Sequence, residues 1–354
     1  MSAAAHAPRA DPEAMGARML EEMSEQPRVI EQLFTRRNDL HAAITEARPS
    51  PLRGAVLVAR GSSDNAALFG RYLLESLIER PVTLAAPSLW TRYEGGHDLH
   101  GHVAIGLSQS GRTDEIATTL DRMRLRGATT VAITNELDSP VAKSADLVLD
   151  LGSGPELAVP ATKTFTAELA MLAVVAEALS EHRWSERDWQ AVADAQRTVL
   201  DDLEATGQAA RLLARSRSTV HLSRGYALAV AHESALKLVE CANVPSQAYS
   251  APDFLHGPLA VAAPDVAVVA YGAPGPAYAD IELAARKASE SGAGVIGVGL
   301  TGSTDLAVSM ANVPEPLAPL VLVIRAQQLA YRTSVELGLN PDTPAGLTKV
   351  TRTS

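Results

Sequence analysis

Cysteine is almost missing from this chain. Cys241 is the only one, so no disulfide can form within the chain, and a reducing compartment is its natural setting. Aromatic residues make up 4% of the sequence against 46% hydrophobic residues overall. That imbalance, with Ala, Val and Leu abundant, favours helices packed on sheets over an aromatic-rich β-sandwich. No block of Lys or Arg stands out, and the formal net charge is -10. Nucleic acid and anionic membranes both need a positive footprint, so neither is expected as a partner. Long apolar runs are also missing: Leu169 to Leu179 is interrupted by Glu177, and nothing reaches the length of a membrane span. Met1 to Asp11 is Ala/Pro-rich, lacks the apolar core of a signal peptide and reads as a frayed tail. These absences lead to the expectation of a soluble, cytoplasmic protein.

What is present is an α/β pattern that occurs twice. Its length suits two lobes rather than one. Pro12 to Arg48 reads as helical, with Met19, Met23, Val29, Ile30 and Leu33 on one face. Ala55 to Ala59 is a buried-strand run, and Arg60-Gly61-Ser62-Ser63-Asp64 turns into a helix through Ile78. Strands are expected near Val82 to Ala85, Val103 to Leu107, Thr130 to Thr134 and Leu147 to Leu149, with a helix from Asp114 to Arg126. Alternation at this spacing predicts a mainly parallel, doubly wound sheet. The second half restarts with a strand at Thr219 to Leu222, the turn Ser223-Arg224-Gly225, a helix to Cys241 and a strand at Asp265 to Tyr271. Gly61 and Gly106 are 106 − 61 = 45 positions apart, and Gly225 and Gly272 are 272 − 225 = 47. Two copies of one fold, joined by helices from Thr164 to about Ser216, is the economical reading.

The two copies differ in chemistry. The first carries Ser108-Gln109-Ser110-Gly111-Arg112-Thr113 after its third strand, where the second has Ala273-Pro274-Gly275-Pro276. Ser/Gly-rich turns at strand ends that open helices can cradle a phosphate monoester, or can serve as plain helix caps. The turn matches neither GxxxxGK[ST] nor GxGxxG, which favours a sugar phosphate over a nucleotide. Glu233, Lys237 and Glu240 lie at four- and three-residue spacings on one helix face. They read either as a structural ion network or as a proton-shuttling base, Glu240, with Lys237 as its electrostatic partner. His256, in Leu255-His256-Gly257-Pro258, and Lys349, in the tail, have bland readings as a structural histidine and a solvated lysine. His97, His100 and His102 cluster without a matching second group, so no metal is expected. Cys241 reads as a small buried residue or, less readily, a reactive thiol.

Several of these motifs resemble, in the same order, those of the SIS-domain family. They are Ser108-Gln109-Ser110-Gly111, Glu156 to Val159 with Thr162 to Thr166, the Glu233 to Glu240 helix, Leu255 to Pro258 and the Lys349 tail. They are similar to the isomerase half of glutamine–fructose-6-phosphate aminotransferase. The match is closer to SIS-type glucosamine-6-phosphate deaminases at Arg60 to Asp64, Ser108 to Arg112 and Asn340 to Leu347. The resemblance covers about Ala55 to Thr351 and implies two tandem SIS lobes of α/β fold. Residues 1–48 would be a tail and helical arm, 49–190 the first SIS domain, 191–216 a helical linker, 217–340 the second, and 341–354 a catalytic tail.

The resemblance also implies roles. Ser62, Ser108, Gln109, Ser110 and Thr113 would hold a phosphate, and Val159 and Ala161 would line the sugar site. Glu240 would carry a proton between C1 and C2 beside Lys237, His256 would assist ring opening, and Lys349 would reach the open-chain carbonyl. The His would enter from a neighbouring subunit, implying a homodimer with shared sites. No cofactor is implied. Arg112 departs from the Glu usual in the synthases, and the region around Gln247 lacks their acid. The synthases' N-terminal glutaminase domain and its nucleophilic Cys are not in this sequence either. The expectation is therefore deamination of an amino-sugar 6-phosphate, glucosamine 6-phosphate in the first instance. Runners-up are a galactosamine-6-phosphate deaminase, a fructosamine deglycase or another phosphosugar isomerase. A non-catalytic sugar-phosphate sensor is the rival class.

Overall fold

The computed structural model describes residues 15–93, 95–300, 306–308, 310 and 312–349. Two helices, α1 (Ala17–Ser24) and α2 (Gln26–Ala47), lead into the first sheet. That lobe runs β1 (Gly54–Val58), α3 (Ser62–Ile78), β2 (Val82–Leu84), α4 (Pro87–Thr91), β3 (His102–Leu107), α5 (Asp114–Leu125), β4 (Thr129–Thr134), α6 (Pro140–Lys143) and β5 (Leu147–Asp150). Helices α7 (Lys163–Leu179), α8 (Glu186–Asp201) and α9 (Gly207–Arg215) follow. The second lobe has β6 (Ser218–Ser223), α10 (Leu228–Ala242), β7 (Ser246–Ser250), α11 (Ala251–Leu255), β8 (Val266–Tyr271), α12 (Tyr278–Glu290) and β9 (Gly294–Val298), and α13 (Pro319–Glu336) closes it.

Both sheets are parallel, in the orders β2-β1-β3-β4-β5 and β7-β6-β8-β9. Every residue of β1 and of β8 is buried, as helices on both faces of a parallel sheet require. Helix α7 is buried along all 17 residues, which explains why its sequence is apolar on every side. Its acid Glu177 is matched by Arg37 of α2, whose Nε donates to Oε2 at 2.7 Å.

The repeat is real, and five of its element pairs keep one spacing. β6 starts 218 − 54 = 164 positions after β1, and β7, α11, β8 and α12 follow β2, α4, β3 and α5 at the same interval. The pairing of Gly106 with Gly272 is therefore corrected. Gly106 lies inside β3, whereas Gly272 lies just beyond β8 and stands where the first lobe has Ser108 (272 − 164 = 108).

This register explains why the lobes differ. Gly275 falls opposite Gly111 (275 − 164 = 111), between Pro274 and Pro276, which have no N–H to offer an anion. Glu315 packs over Gly275 so closely that a Cβ there would lie 2.2 Å from its carboxyl carbon. In the first lobe Ser108, Gln109, Ser110 and Thr113 of the corresponding turn line a cleft. The turn's Gly111, at φ +60°, sits where a side chain would collide with Ser139, and only glycine adopts that conformation without strain.

Candidate active site

The carboxyl ends of β1 and β3 aim two turns at one cleft of about 410 Å³, a volume suited to a small ligand. At the first, Gly61 takes φ +62° and starts α3, so Ser62 and Ser63 form its first turn. At the second, Ser108, Gln109, Ser110 and Thr113 all line the cleft. The Ser108 and Thr113 hydroxyls lie 3.4 Å apart, and the Arg112 amide donates to Ser110 Oγ at 3.3 Å. Thr113 occupies the N-cap of α5 without making a side-chain cap bond, so plain capping does not account for it. Helix dipole and convergent donors together make an anion seat.

The second lobe supplies the opposite wall through α10. Lys237, 1% exposed, lies 3.4 Å from Glu233 and in direct contact with Glu240. Burial opposes its charge, but the two carboxylates outweigh burial and hold the ammonium protonated. The three residues form one network, but they are not equivalent. Glu233 is wholly buried and accepts from Ser62 Oγ at 2.9 Å and Asn65 Nδ2 at 2.8 Å, which ties the lobes together. Burial raises its pKa despite those partners. Glu240 is 24% exposed and, with Lys237, lines the cleft.

The chain's end closes the third side. Asp342 accepts from the amides of Arg18 and Met19 at the start of α1, at 3.2 and 2.8 Å, and its carbonyl accepts from Val159 N at 3.0 Å. This anchor delivers Leu347, Thr348 and Lys349 to the cleft, beside Val159 and Ala161. Lys349 Nζ donates to the buried Glu156 at 2.7 Å. Burial pushes that carboxyl up, but Lys349, the Thr164 hydroxyl and the Thr162 amide prevail and hold it below the usual range.

Ten of the eleven residues singled out in the sequence thus meet in one cleft: Ser62, Ser108, Gln109, Ser110, Thr113, Val159, Ala161, Lys237, Glu240 and Lys349. His256 does not line it; it follows α11 and is exposed. Ser62 lines the cleft, although its hydroxyl is turned to Glu233. Arg60, paired with Glu115 at 2.9 Å, also lines the cleft, while Glu156 and Glu168 stand behind it. None of the three was assigned a role from sequence, although Arg60 and Glu156 belong to the motifs quoted above.

Among the described residues, the other candidate groups do not converge on a site. A larger hollow of about 710 Å³ runs along α8, past Glu186, Arg187, Gln190 and Asp194, without a convergent donor set. His97 packs at a tilt against Trp90, and His100 bonds Asp98. Among the described residues no group of three metal-ligating side chains occurs. Cys241 is buried, and burial pushes its thiol up to about 12, as befits a small core residue rather than a reactive thiol.

The family model for the SIS domain matches residues 52–178 and again 212–336. The chain belongs to the SIS family. A glutamine–fructose-6-phosphate aminotransferase of Methanothermobacter thermautotrophicus is 32% identical to this SIS protein over 340 residues, covering 94% of this chain and 56% of the relative. The chain thus spans little more than half the length of such curated relatives. Two solved structures share the fold. Glucosamine-6-phosphate deaminase of Thermotoga maritima matches with a TM-score of 0.76 at 22% identity, over 95% of this chain and all of the other. The tagatose-6-phosphate ketose/aldose isomerase of Escherichia coli matches with a TM-score of 0.80 at 19% identity, over 96% of this chain and 98% of the other. No described helix is long and apolar enough to cross a membrane.

Proposed function

We propose that the protein converts glucosamine 6-phosphate and water into fructose 6-phosphate and ammonia. The observation that carries this reading is the placement of Glu240 and Lys349 in one cleft with the Ser108–Thr113 seat. With the phosphate held in the seat, the sugar's C1 and C2 extend toward α10 and the tail.

His256 of a neighbouring copy assists opening of the pyranose, which makes the working unit a homodimer. In the open-chain form C1 is an aldehyde and C2 bears the amine. Glu240 takes the proton from C2 and returns it to C1, while O1 gains a proton from solvent and the amine nitrogen releases one to solvent, leaving an alcohol at C1 and an imine at C2. Lys237 fixes the orientation of Glu240 and balances its charge. Lys349 draws electron density from the C1 carbonyl as the C2 proton leaves. Water adds to the C2 imine, the nitrogen departs as ammonia, and fructose 6-phosphate remains. The remote phosphate contacts position C1 and C2 against the base.

The name of the Thermotoga structure supports the deaminase reading, and the aminotransferase relatives are named for fructose 6-phosphate, the proposed product. The Escherichia coli neighbour favours a second reading, aldose–ketose isomerisation of another phosphosugar, which needs the same base and no nitrogen.

Ammonia release from a panel of amino-sugar 6-phosphates, without glutamine, metal or nucleotide, tests the proposal. Glucosamine 6-phosphate should yield equal amounts of fructose 6-phosphate and ammonia. Turnover of neutral aldose or ketose phosphates alone would establish the second reading instead. Tight phosphosugar binding with no turnover of any kind would leave a sensor.

A further inference from the structure

Among the described residues, five glutamates are buried: Glu22, Glu156, Glu168, Glu177 and Glu233. Glu156, Glu177 and Glu233 meet Lys349, Arg37 and Lys237 respectively, and Glu22 accepts from the backbone amides of Leu157 and Ala158. Glu168 meets no cation. Its carboxyl, on α7, accepts instead from the Ser63 hydroxyl at 2.7 Å. Ser63 lies in the first turn of α3 and lines the cleft. Glu168 is therefore one hydrogen bond away from any ligand of that turn.

We propose that Glu168 is a positioning residue that sets whether the Ser63 hydroxyl faces the cleft as a donor or as an acceptor. This inference rests on reading the cleft as a sugar-phosphate site. A hydroxyl has one hydrogen and two lone pairs. When Glu168 is neutral, its own O–H can point to Ser63 Oγ, and the Ser63 hydrogen is released toward the ligand. Once Glu168 ionises, the carboxylate keeps the Ser63 hydrogen, and only lone pairs face the cleft. The oxygens of a bound sugar phosphate need the donor, so the neutral form holds the ligand.

The surroundings favour the neutral form at neutral pH. Burial pushes the Glu168 carboxyl up to about 8, with Glu233 of α10 and Glu156 of the preceding segment adding to the rise against the Ser63 bond. The cations on neighbouring elements are already engaged. Lys237 bonds Glu233 and Glu240, Lys349 bonds Glu156, and Lys163 of α7 itself bonds Glu25 at 3.0 Å. Arg37 of α2 bonds Glu177, Arg325 of α13 bonds Asp202 at 2.6 Å, and Arg60 ahead of α3 bonds Glu115.

Fructose 6-phosphate is the suitable probe. It has no amine, and its phosphate stays a dianion well above its second pKa of about 6. Calorimetric titration between about pH 7 and about pH 9.5 brackets the carboxyl. Wild-type affinity should fall about tenfold or more as pH rises across that range. In Glu168→Gln the amide N–H can donate to Ser63 at every pH, so the affinity should no longer depend on pH. Ser63→Ala should bind more weakly at the lower pH and also lose the dependence. An alkaline loss that persists in Glu168→Gln, or in Ser63→Ala if the first variant fails to fold, would overturn the proposal. So would wild-type affinity that is flat with pH. The two readings fail separately: missing ammonia release with pH-dependent binding removes only the reaction, and normal release with flat binding removes only the role of Glu168.

Discussion

Lys349 Nζ and Glu156 Oε2 lie 2.7 Å apart, and they join the last described residue of the chain to an acid with no exposed side-chain surface. The bond fastens the tail across the cleft and keeps a buried carboxylate ionised.

This pair has a pH signature. The folded-state pKa of Glu156 lies below its ordinary value, so its contribution to stability is complete above about pH 4.5 and is lost as pH falls through the lowered pKa. The wild-type melting temperature should therefore drop on acidification below that point. Lys349→Met should lower it at neutral pH, because the buried carboxylate loses its cation, and should shallow the acid dependence. Differential scanning calorimetry across the acid range checks both; an unchanged neutral melting temperature would show that the tail does not hold the acid.

Glu240→Gln should keep phosphosugar binding and lose exchange of the C1/C2 hydrogen with solvent by roughly 10²–10⁴-fold. Proton NMR in heavy water measures it directly. Near-normal exchange would return Glu240 to the ion network with Lys237 and Glu233.

In the seat, Ser110→Ala or Thr113→Ala should weaken fructose 6-phosphate binding by about 1–3 kcal/mol, the range for a hydrogen bond to a charged group. Unphosphorylated fructose should be little affected. Equal losses for both sugars in calorimetry would mean that these hydroxyls do not touch phosphate.

His256 is exposed and away from its own chain's cleft, which frames a test of subunit sharing. Inactive Glu240→Gln and His256→Ala chains, mixed under conditions where differently tagged subunits exchange, should recover part of the activity. Exchange without recovery would sink the shared site.

Much of this could be read from sequence because the deciding signals are local. The apolar run at β1, the hydroxyl-rich turn after β3 and the spacings on α10 each lie within one element and its neighbouring turn. Harder features depend on contacts between distant segments. β7, Ser246–Ser250, is a half-exposed edge strand without an apolar run, so it gave no strand signal. The anchoring of Asp342 on α1 joins positions more than 320 residues apart, which no local pattern encodes. The resemblance implied a phosphate contact for Ser62, but no local pattern encodes the bond from its hydroxyl to Glu233 of the opposite lobe. Glu168 drew no reading from the sequence, because its partner Ser63 comes from the distant helix α3.

The repeat also bears on how the chain could be divided. A nick between Asp201 and Gly207, where α8 gives way to α9, would leave the oxyanion-accepting turns in one fragment. The other would hold the carboxylate and the tail amine that face those turns. Two folds of one ancestry would then be present, neither with a complete set of reacting groups. Only their re-association, through Ser62 with Glu233 on one side and Asp342 with α1 on the other, would restore one working cleft.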